Sequence, residues 1–169
     1  MTQKLVDSIT RQISAEFSAS FSYLSMAAWC EYKKLMGAGR WLRMQSIEEH
    51  GHGMKLVNFV LARGYQLKLP AIDEPKHEFK SIQEVFERAL KQEQEVSRQI
   101  DALYELAFTQ KAFAAMAELQ WFITEQVEEE KNVSEIVAKF QMVRNDPASI
   151  LDLDRELGSR DDEEEDDDD

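Results

Sequence analysis

Residues 42–59 read Leu42-Arg43-Met44-Gln45-Ser46-Ile47-Glu48-Glu49-His50-Gly51-His52-Gly53-Met54-Lys55-Leu56-Val57-Asn58-Phe59, and this stretch decides the fold. At steps of three and four, Leu42, Gln45, Glu49, His52, Leu56 and Phe59 share one face of a helix. That face is apolar at both ends and carries a carboxylate and an imidazole in its middle. Three other stretches repeat the pattern. One stripe runs through Ile9, Ile13, Glu16, Ser20, Tyr23 and Ala27. Another runs through Phe86, Leu90, Glu93, Ser97, Ile100, Tyr104 and Ala107. The last runs through Leu119, Phe122, Gln126, Glu129, Val133, Ile136 and Phe140. Each places acid where a core leucine would be expected. A lone buried carboxylate costs several kcal/mol unless it is paired or binds metal. Four converging acids and a histidine therefore point to a metal site.

Punctuation between the stripes sets the topology. Gly37-Ala38-Gly39 separates a first helix, roughly 5–35, from a second, roughly 40–63. Gly64 suits a helix C-cap. Residues 65–80 contain Pro70 and Pro75 and carry no helical stripe. Ser81-Ile82-Gln83-Glu84 reads as a capping box that starts helix three. Thr109-Gln110 breaks the chain before helix four, about 111–144, which Asn145-Asp146-Pro147 stops. A short fifth helix, about 148–157, ends at Gly158. Short links after helices one and three make antiparallel neighbours. A helix of about 28 residues is about 42 Å long, and some sixteen extended residues reach about 50 Å. Helices two and three can then lie parallel, joined by one long crossover. The expected fold is all-α: a four-helix bundle with one long crossover and a short fifth C-terminal helix.

Composition narrows the function. The chain has 169 residues, one cysteine (Cys30) and a net charge of −13. Asp161 to Asp169 are all acidic and supply −9 of that, which leaves only −4 for the rest. Such a chain is a poor partner for duplex nucleic acid, whose binding relies on basic patches. No stretch is apolar for long enough to span a bilayer. The N-terminus lacks a signal-peptide apolar region, so a cytoplasmic protein is expected. No Gly-rich phosphate loop, Ser-His-Asp set or zinc-finger spacing is present.

Glu49-x-x-His52 and Gln126-x-x-Glu129 each set two polar groups one turn apart, and Glu16 and Glu93 add single carboxylates. Oxygen-rich ligation with one imidazole suits iron, and also zinc or manganese. Glu49 is the choice for a carboxylate that serves two metals. Tyr23 follows Glu16 by seven residues on the same face, where a hydrogen bond to a ligand or a one-electron donor would sit. Taken singly, each Glu reads as an exposed or salt-bridged residue, and a lone His as core. Their shared register favours a metal site over a bundle of paired acids. His50 and His77 lie off the stripes and read as surface residues. Trp29, Trp41 and Trp121 read as core or interface.

These residues resemble the non-haem ferritins of prokaryotes, whose bundle carries such a crossover. The resemblance rests on Glu16 with Tyr23, Glu48-Glu49-His50-Gly51-His52, Glu93 in Lys91-Gln92-Glu93-Gln94, and the run from Leu119 to Lys131. It covers the chain to about Gly158. Residues 1–158 are then a ferritin-like di-iron domain, and 159–169 an acidic, disordered tail. Bacterioferritins and rubrerythrins carry a second Glu-x-x-His. Here Glu129 stands in its place. No haem is expected, because His50 occupies the position of the haem-binding methionine.

The resemblance implies a ferroxidase centre with two irons. Glu16, Glu49 and His52 would hold the first. Glu49, Glu93 and Glu129 would hold the second, with Glu49 bridging. Gln126 would orient dioxygen or water. Glu48, Glu125, Glu128 and Glu129 match a third iron site. Fe(II) and dioxygen or hydrogen peroxide would be the partners, and a homo-oligomer of 24 chains would enclose ferric oxyhydroxide. The acids that line an iron channel in animal ferritins correspond to Met116 and Leu119, with Glu118 adjacent. The alternative is a rubrerythrin-like di-iron peroxide reductase that stores nothing. An inward-pointing fifth helix would bring the Asp161–Asp169 runs into the shell, where they would gather iron.

Overall fold

A computed structural model describes residues 1–159 and contains five helices and no strand among them. They are α1 (Gln3–Tyr32), α2 (Met36–Ala62), α3 (Ile82–Thr109), α4 (Phe113–Val143) and α5 (Pro147–Gly158). The expectation of a disordered acidic tail falls almost wholly on residues outside the described range. No described helix is long and apolar enough to cross a membrane.

The ends of the helices follow local chemistry. The Thr2 side chain caps α1 by accepting from the Leu5 amide at 3.3 Å. At the end of α2, Gly64 has φ +78°. Its amide reaches the Leu61 carbonyl, and the Tyr65 amide reaches that of Val60, which is a Schellman closure that favours glycine at this position. Ser81 caps α3 through the Glu84 amide at 3.1 Å, but the box is only half made. The Glu84 carboxylate turns to the Lys80 amide (2.6 Å) and to Lys76 Nζ (2.5 Å) instead of to Ser81. Asp146 caps α5 through the Ser149 amide at 2.9 Å, with Pro147 in the first helical turn, where its missing N–H costs nothing.

Buried side chains form two apolar clusters. One contains Met26, Leu42, Phe86, Val133 and Phe140. The other contains Ile13, Leu56, Ile100, Leu119 and Phe122. Every long helix passes from one cluster to the other through a polar middle, and the order of passage gives its direction. Helices α1 and α4 run from the second cluster to the first, whereas α2 and α3 run from the first to the second. So α2 and α3 are parallel, and residues 63–81 make the long crossover. Leu119 is 1% exposed inside the bundle.

The Gly37-Ala38-Gly39 run is not the interhelix link that the sequence predicts. Residues 33–35 make that turn, and the glycines lie in the first turn of α2. Gly37 permits close approach to α5, and Gly39 to the Glu31 side chain of α1. A Cβ on Gly37 would lie 1.7 Å from the Asp154 carbonyl oxygen. Leu35 offers α2 no side-chain cap. Asp154 of α5 supplies one instead, its Oδ1 accepting from the Ala38 amide at 2.8 Å. A cap of this kind contributes about 1 kcal/mol, and here it fastens the fifth helix to the bundle.

Candidate metal centre

Between the two apolar clusters lies a belt of buried polar residues: Gln12, Glu16, Ser20, Gln45, Ser46, Glu49, His52, Glu93, Gln126 and Glu129. Each sits on the core face of its helix because its stripe continues apolar on both sides. Glu16, Glu49 and His52 each offer a ligand atom, all within 4.8 Å of one another. A second such group contains His52, Glu125 and Glu129. The sequence places Glu125 only in a third site, whereas here it also stands near His52.

The first group is short of hydrogen bonds. Glu16 Oε2, both Glu49 oxygens and His52 Nδ1 are buried without a partner. A proton on Glu49 would bridge it to Glu16, but with both ionised neither can donate. His52 Nδ1 lies 3.7 Å from Glu49 Oε2, and this is not an ion pair. Burial, with Lys55 nearby, pushes the imidazole down to about 4, and burial beside Glu93, Glu16 and Glu129 raises Glu49 well above the usual range. The imidazole is therefore neutral near neutral pH, and burial disfavours the ionised form of Glu49. The imidazole is clamped between rings, with centroids 5.3 Å from Trp121 and 6.1 Å from Phe122. Lys55 Nζ sits 4.7 Å over the other ring of that pair, Trp121.

The second pair of helices holds its acids differently. Buried Tyr23 donates its hydroxyl to Glu93 Oε1 at 2.5 Å. Gln126 Nε2 lies 3.2 Å from the Glu93 carbonyl and 3.3 Å from Glu93 Oε2. Gln126 thus braces Glu93, and Glu93 belongs to neither three-ligand group. Gln45 Nε2 donates to Glu129 Oε2 at 2.8 Å. Burial, then Glu93, Glu48 and Glu125, pushes Glu129 up to about 8. Burial pushes Glu16 up to about 7, although Gln12 donates to its Oε1 at 2.8 Å.

Beside this belt a groove of about 330 Å³ is lined by Glu48, Glu125, Glu128 and Glu129, with Trp41 among its walls. It continues past Glu135 to Glu156, which is paired with Lys139. The four acids expected at a third site thus share one groove. His50 and His77 are exposed, as expected of surface residues. Buried Cys30 is pushed up to about 12 by burial, which leaves the thiol unreactive.

Sequence reasoning missed the supporting residues. Gln12 stands four residues before Glu16, to which it donates, and that spacing was the available signal. Ser20 lay on the stripe of the first helix without an assigned role, and Ser46 lay off the stripes. The Ser20 hydroxyl donates to the Ser46 carbonyl at 2.6 Å, and the Ser46 hydroxyl to that of Ser20 at 2.8 Å.

The donor set can hold a divalent cation. Four orphaned atoms converge, all of them carboxylate oxygen or imidazole nitrogen, and a cation would neutralise acids that burial otherwise protonates.

Residues 6–143 match the ferritin-like domain family. A bacterial non-heme ferritin of Staphylococcus aureus (strain USA300) is 33% identical over 95% of this chain and 96% of its own. A probable bacterial non-heme ferritin-like protein of Haemophilus influenzae is 32% identical over 94% of this chain and 96% of its own. Among solved structures, the open pore ferritin of Archaeoglobus fulgidus superposes with a TM-score of 0.94 at 39% identity. That match covers 95% of this chain and 99% of the other. With its bundle, its crossover and its belt of buried acids, the chain belongs to the ferritin family.

Proposed function

We propose that this ferritin-family chain oxidises Fe(II) with dioxygen at the buried belt and delivers Fe(III) to a mineral store inside a homo-oligomeric shell of 24 copies. Family membership supports iron storage. The observation that carries the oxidation step is the set of partnerless ligand atoms on Glu16, Glu49 and His52. In this reading the first Fe(II) takes those three residues. The second takes Glu49 as a bridge, with Glu93 and Glu129. Carboxylates are hard ligands that favour Fe(III) over Fe(II), so they lower the reduction potential and favour oxidation. Two Fe(II), one dioxygen and two protons give two Fe(III) and one hydrogen peroxide.

The residues around the ligands have their own work in this scheme. Gln12 and Gln45 orient Glu16 and Glu129, and Tyr23 and Gln126 orient Glu93. Protons held by the metal-free acids leave as the cations arrive. The groove of Glu48, Glu125, Glu128 and Glu129 would stage iron between the centre and the store. Assembly is supported by large apolar side chains left exposed on the single chain, among them Tyr32, Ile47, Phe113, Val127 and Met142.

The test is Fe(II) addition in air, with absorbance, sedimentation and retained iron followed on one sample. Rapid oxidation with many irons kept per chain on a large assembly is the expected result. Oxidation that stops at two irons per chain on a small oligomer would replace storage with the peroxide-reductase alternative.

A further inference from the structure

Glu93 is held at both carboxylate oxygens, and its two donors differ in where else they could turn. Tyr23 donates to Oε1 at 2.5 Å, and among the described residues this fully buried hydroxyl has no other hydrogen-bond partner. Gln126 has a choice. Its Nε2 lies 3.2 Å from the Glu93 carbonyl, 3.3 Å from Glu93 Oε2 and 3.4 Å from Ser97 Oγ. The carbonyl can only accept, so the amide nitrogen, not its oxygen, belongs on this side. A side-chain amide carries two N–H groups, and three oxygens compete for them. One hydrogen serves the carbonyl, while the carboxylate and the hydroxyl contend for the other. Ser97 is set up to accept it. Its own hydrogen goes to Glu130 Oε1, which leaves the lone pairs of the hydroxyl for Gln126.

We propose that Ser97 is a positioning residue for the second ion and takes over the Gln126 amide when a cation claims Glu93 Oε2, a proposal that rests on the reading of Glu93 as a ligand. A cation at Oε2 occupies the lone pairs that the amide uses. Gln126 is 4% exposed, so water cannot replace the lost acceptor. Without Ser97 the ion would bind at the cost of an unsatisfied buried N–H. With Ser97 in place, the hydrogen moves between two oxygens at nearly equal distances from the nitrogen. The other hydrogen stays on the Glu93 carbonyl, so Gln126 does not leave the centre. Tyr23 has no second acceptor and keeps Oε1 throughout. Glu130 acts through Ser97 by holding its hydrogen away from the amide.

Zn(II) calorimetry on the full-length, assembled, metal-free protein tests this. The ion lost in Glu93→Ala marks the second site. At that site Ser97→Ala should weaken binding by about fivefold to tenfold, while the first ion stays within about twofold of the wild type. Ser97→Thr restores the hydroxyl, and Ser97 borders a groove of about 330 Å³ that has room for the added methyl group. Its second ion should return to within about twofold of the wild type. In Gln126→Leu there is no amide to receive, so adding Ser97→Ala should cost nothing more at the second site. A merely loosened contact between α3 and α4 would still add its cost there. An unchanged second ion in Ser97→Ala, no recovery in Ser97→Thr, or a full loss on top of Gln126→Leu each overturns the proposal. A wild type with no ion that depends on Glu93 would sink the two-ion reading and this proposal with it. Two wild-type ions with an indifferent Ser97→Ala would reject the role of Ser97 alone.

Discussion

The two halves of the centre carry similar acids but hold them in opposite ways. On the α1–α2 side, Glu49 and His52 Nδ1 find no hydrogen bond, and Glu16 finds one for only one of its oxygens. On the α3–α4 side, Glu93 is gripped by Tyr23 and Gln126, and Glu129 by Gln45. An unsatisfied buried polar group costs about 1–3 kcal/mol. The first half therefore stores a deficit that a cation removes, while the second is already satisfied by the protein. Cations should fill the α1–α2 half first, and the α3–α4 half should bind more weakly because a second ion must share or displace existing hydrogen bonds.

The largest effect should come from Glu49, which both proposed ions need. We expect Glu49→Ala to abolish tight binding of the first ion and of the second. The loss should exceed the roughly tenfold to hundredfold that removal of a supporting hydrogen bond costs. Calorimetric titration with Zn(II), which is redox-silent, would check this. Retention of one wild-type site would show that the halves are independent and that Glu49 is no bridge.

Next in size is the response of the metal-free protein to pH. Glu16 is raised from 4.5 to about 7 and Glu129 to about 8, both mainly by burial. Folding then stabilises their protonated forms. That contribution is complete below about pH 4.5 and is lost as pH rises through 7 and 8. For Glu16 it is on the order of 3 kcal/mol, at about 1.4 kcal/mol per unit. His52 acts in the opposite sense. Its depression from 6.5 to about 4 adds stability above pH 6.5 that is lost as pH falls through 4. Between those values it offsets one of the acids, so the decline should be steepest above about pH 6.5. Urea unfolding at about pH 5.5 and about pH 8 should show the metal-free protein weaker at the higher value. Saturating Zn(II) should reverse the trend, because bound cation takes the place of the protons. Equal stability at both pH values without metal would mean that the acids are not desolvated as the structure has them.

A smaller effect separates the halves directly. Gln12 supports Glu16 and Gln126 supports Glu93, each through one side-chain amide. Gln126→Leu should weaken the second ion about tenfold and leave the first within a factor of two or so. Gln12→Leu should do the reverse. Zn(II) titration of both variants compares them, and equal losses at both sites would dissolve the distinction between the halves.

These asymmetries mark what the sequence could and could not disclose. The bundle was legible because each stripe is a strict three-and-four repeat, and the acids were legible because they interrupt it. Direction was legible too, since the length of residues 65–80 dictated a crossover. The hydrogen bonds that distinguish the halves were not. Gln45 lies on α2 but serves Glu129 on α4, and no local spacing encodes a partner across the bundle. Gly37-Ala38-Gly39 misled for the same reason. Glycine reads as a break until the close approach of Asp154 supplies another cause for it. Trp41 read as packing because its second face meets a groove assembled from α2, α4 and α5.

The smallest expected effect is the control that keeps these arguments separate. Ser20 and Ser46 belong to the same buried belt, yet each hydroxyl is spent on the other residue's carbonyl, and neither touches a carboxylate. They join α1 to α2 and hold nothing toward a cation. Ser20→Ala removes one interhelix donor, while the Ser46 carbonyl keeps its bond within α2, and this should cost about 1 kcal/mol of stability. The loss should be the same at about pH 5.5 and about pH 8, because no titrating group is involved. Zn(II) affinity should be unchanged at both sites. If it fell by tenfold at the first site, the spacing of α1 and α2 would itself set the ligand geometry there. The looseness of that half would then lie in its side chains alone, on a backbone as rigid as that of its neighbour.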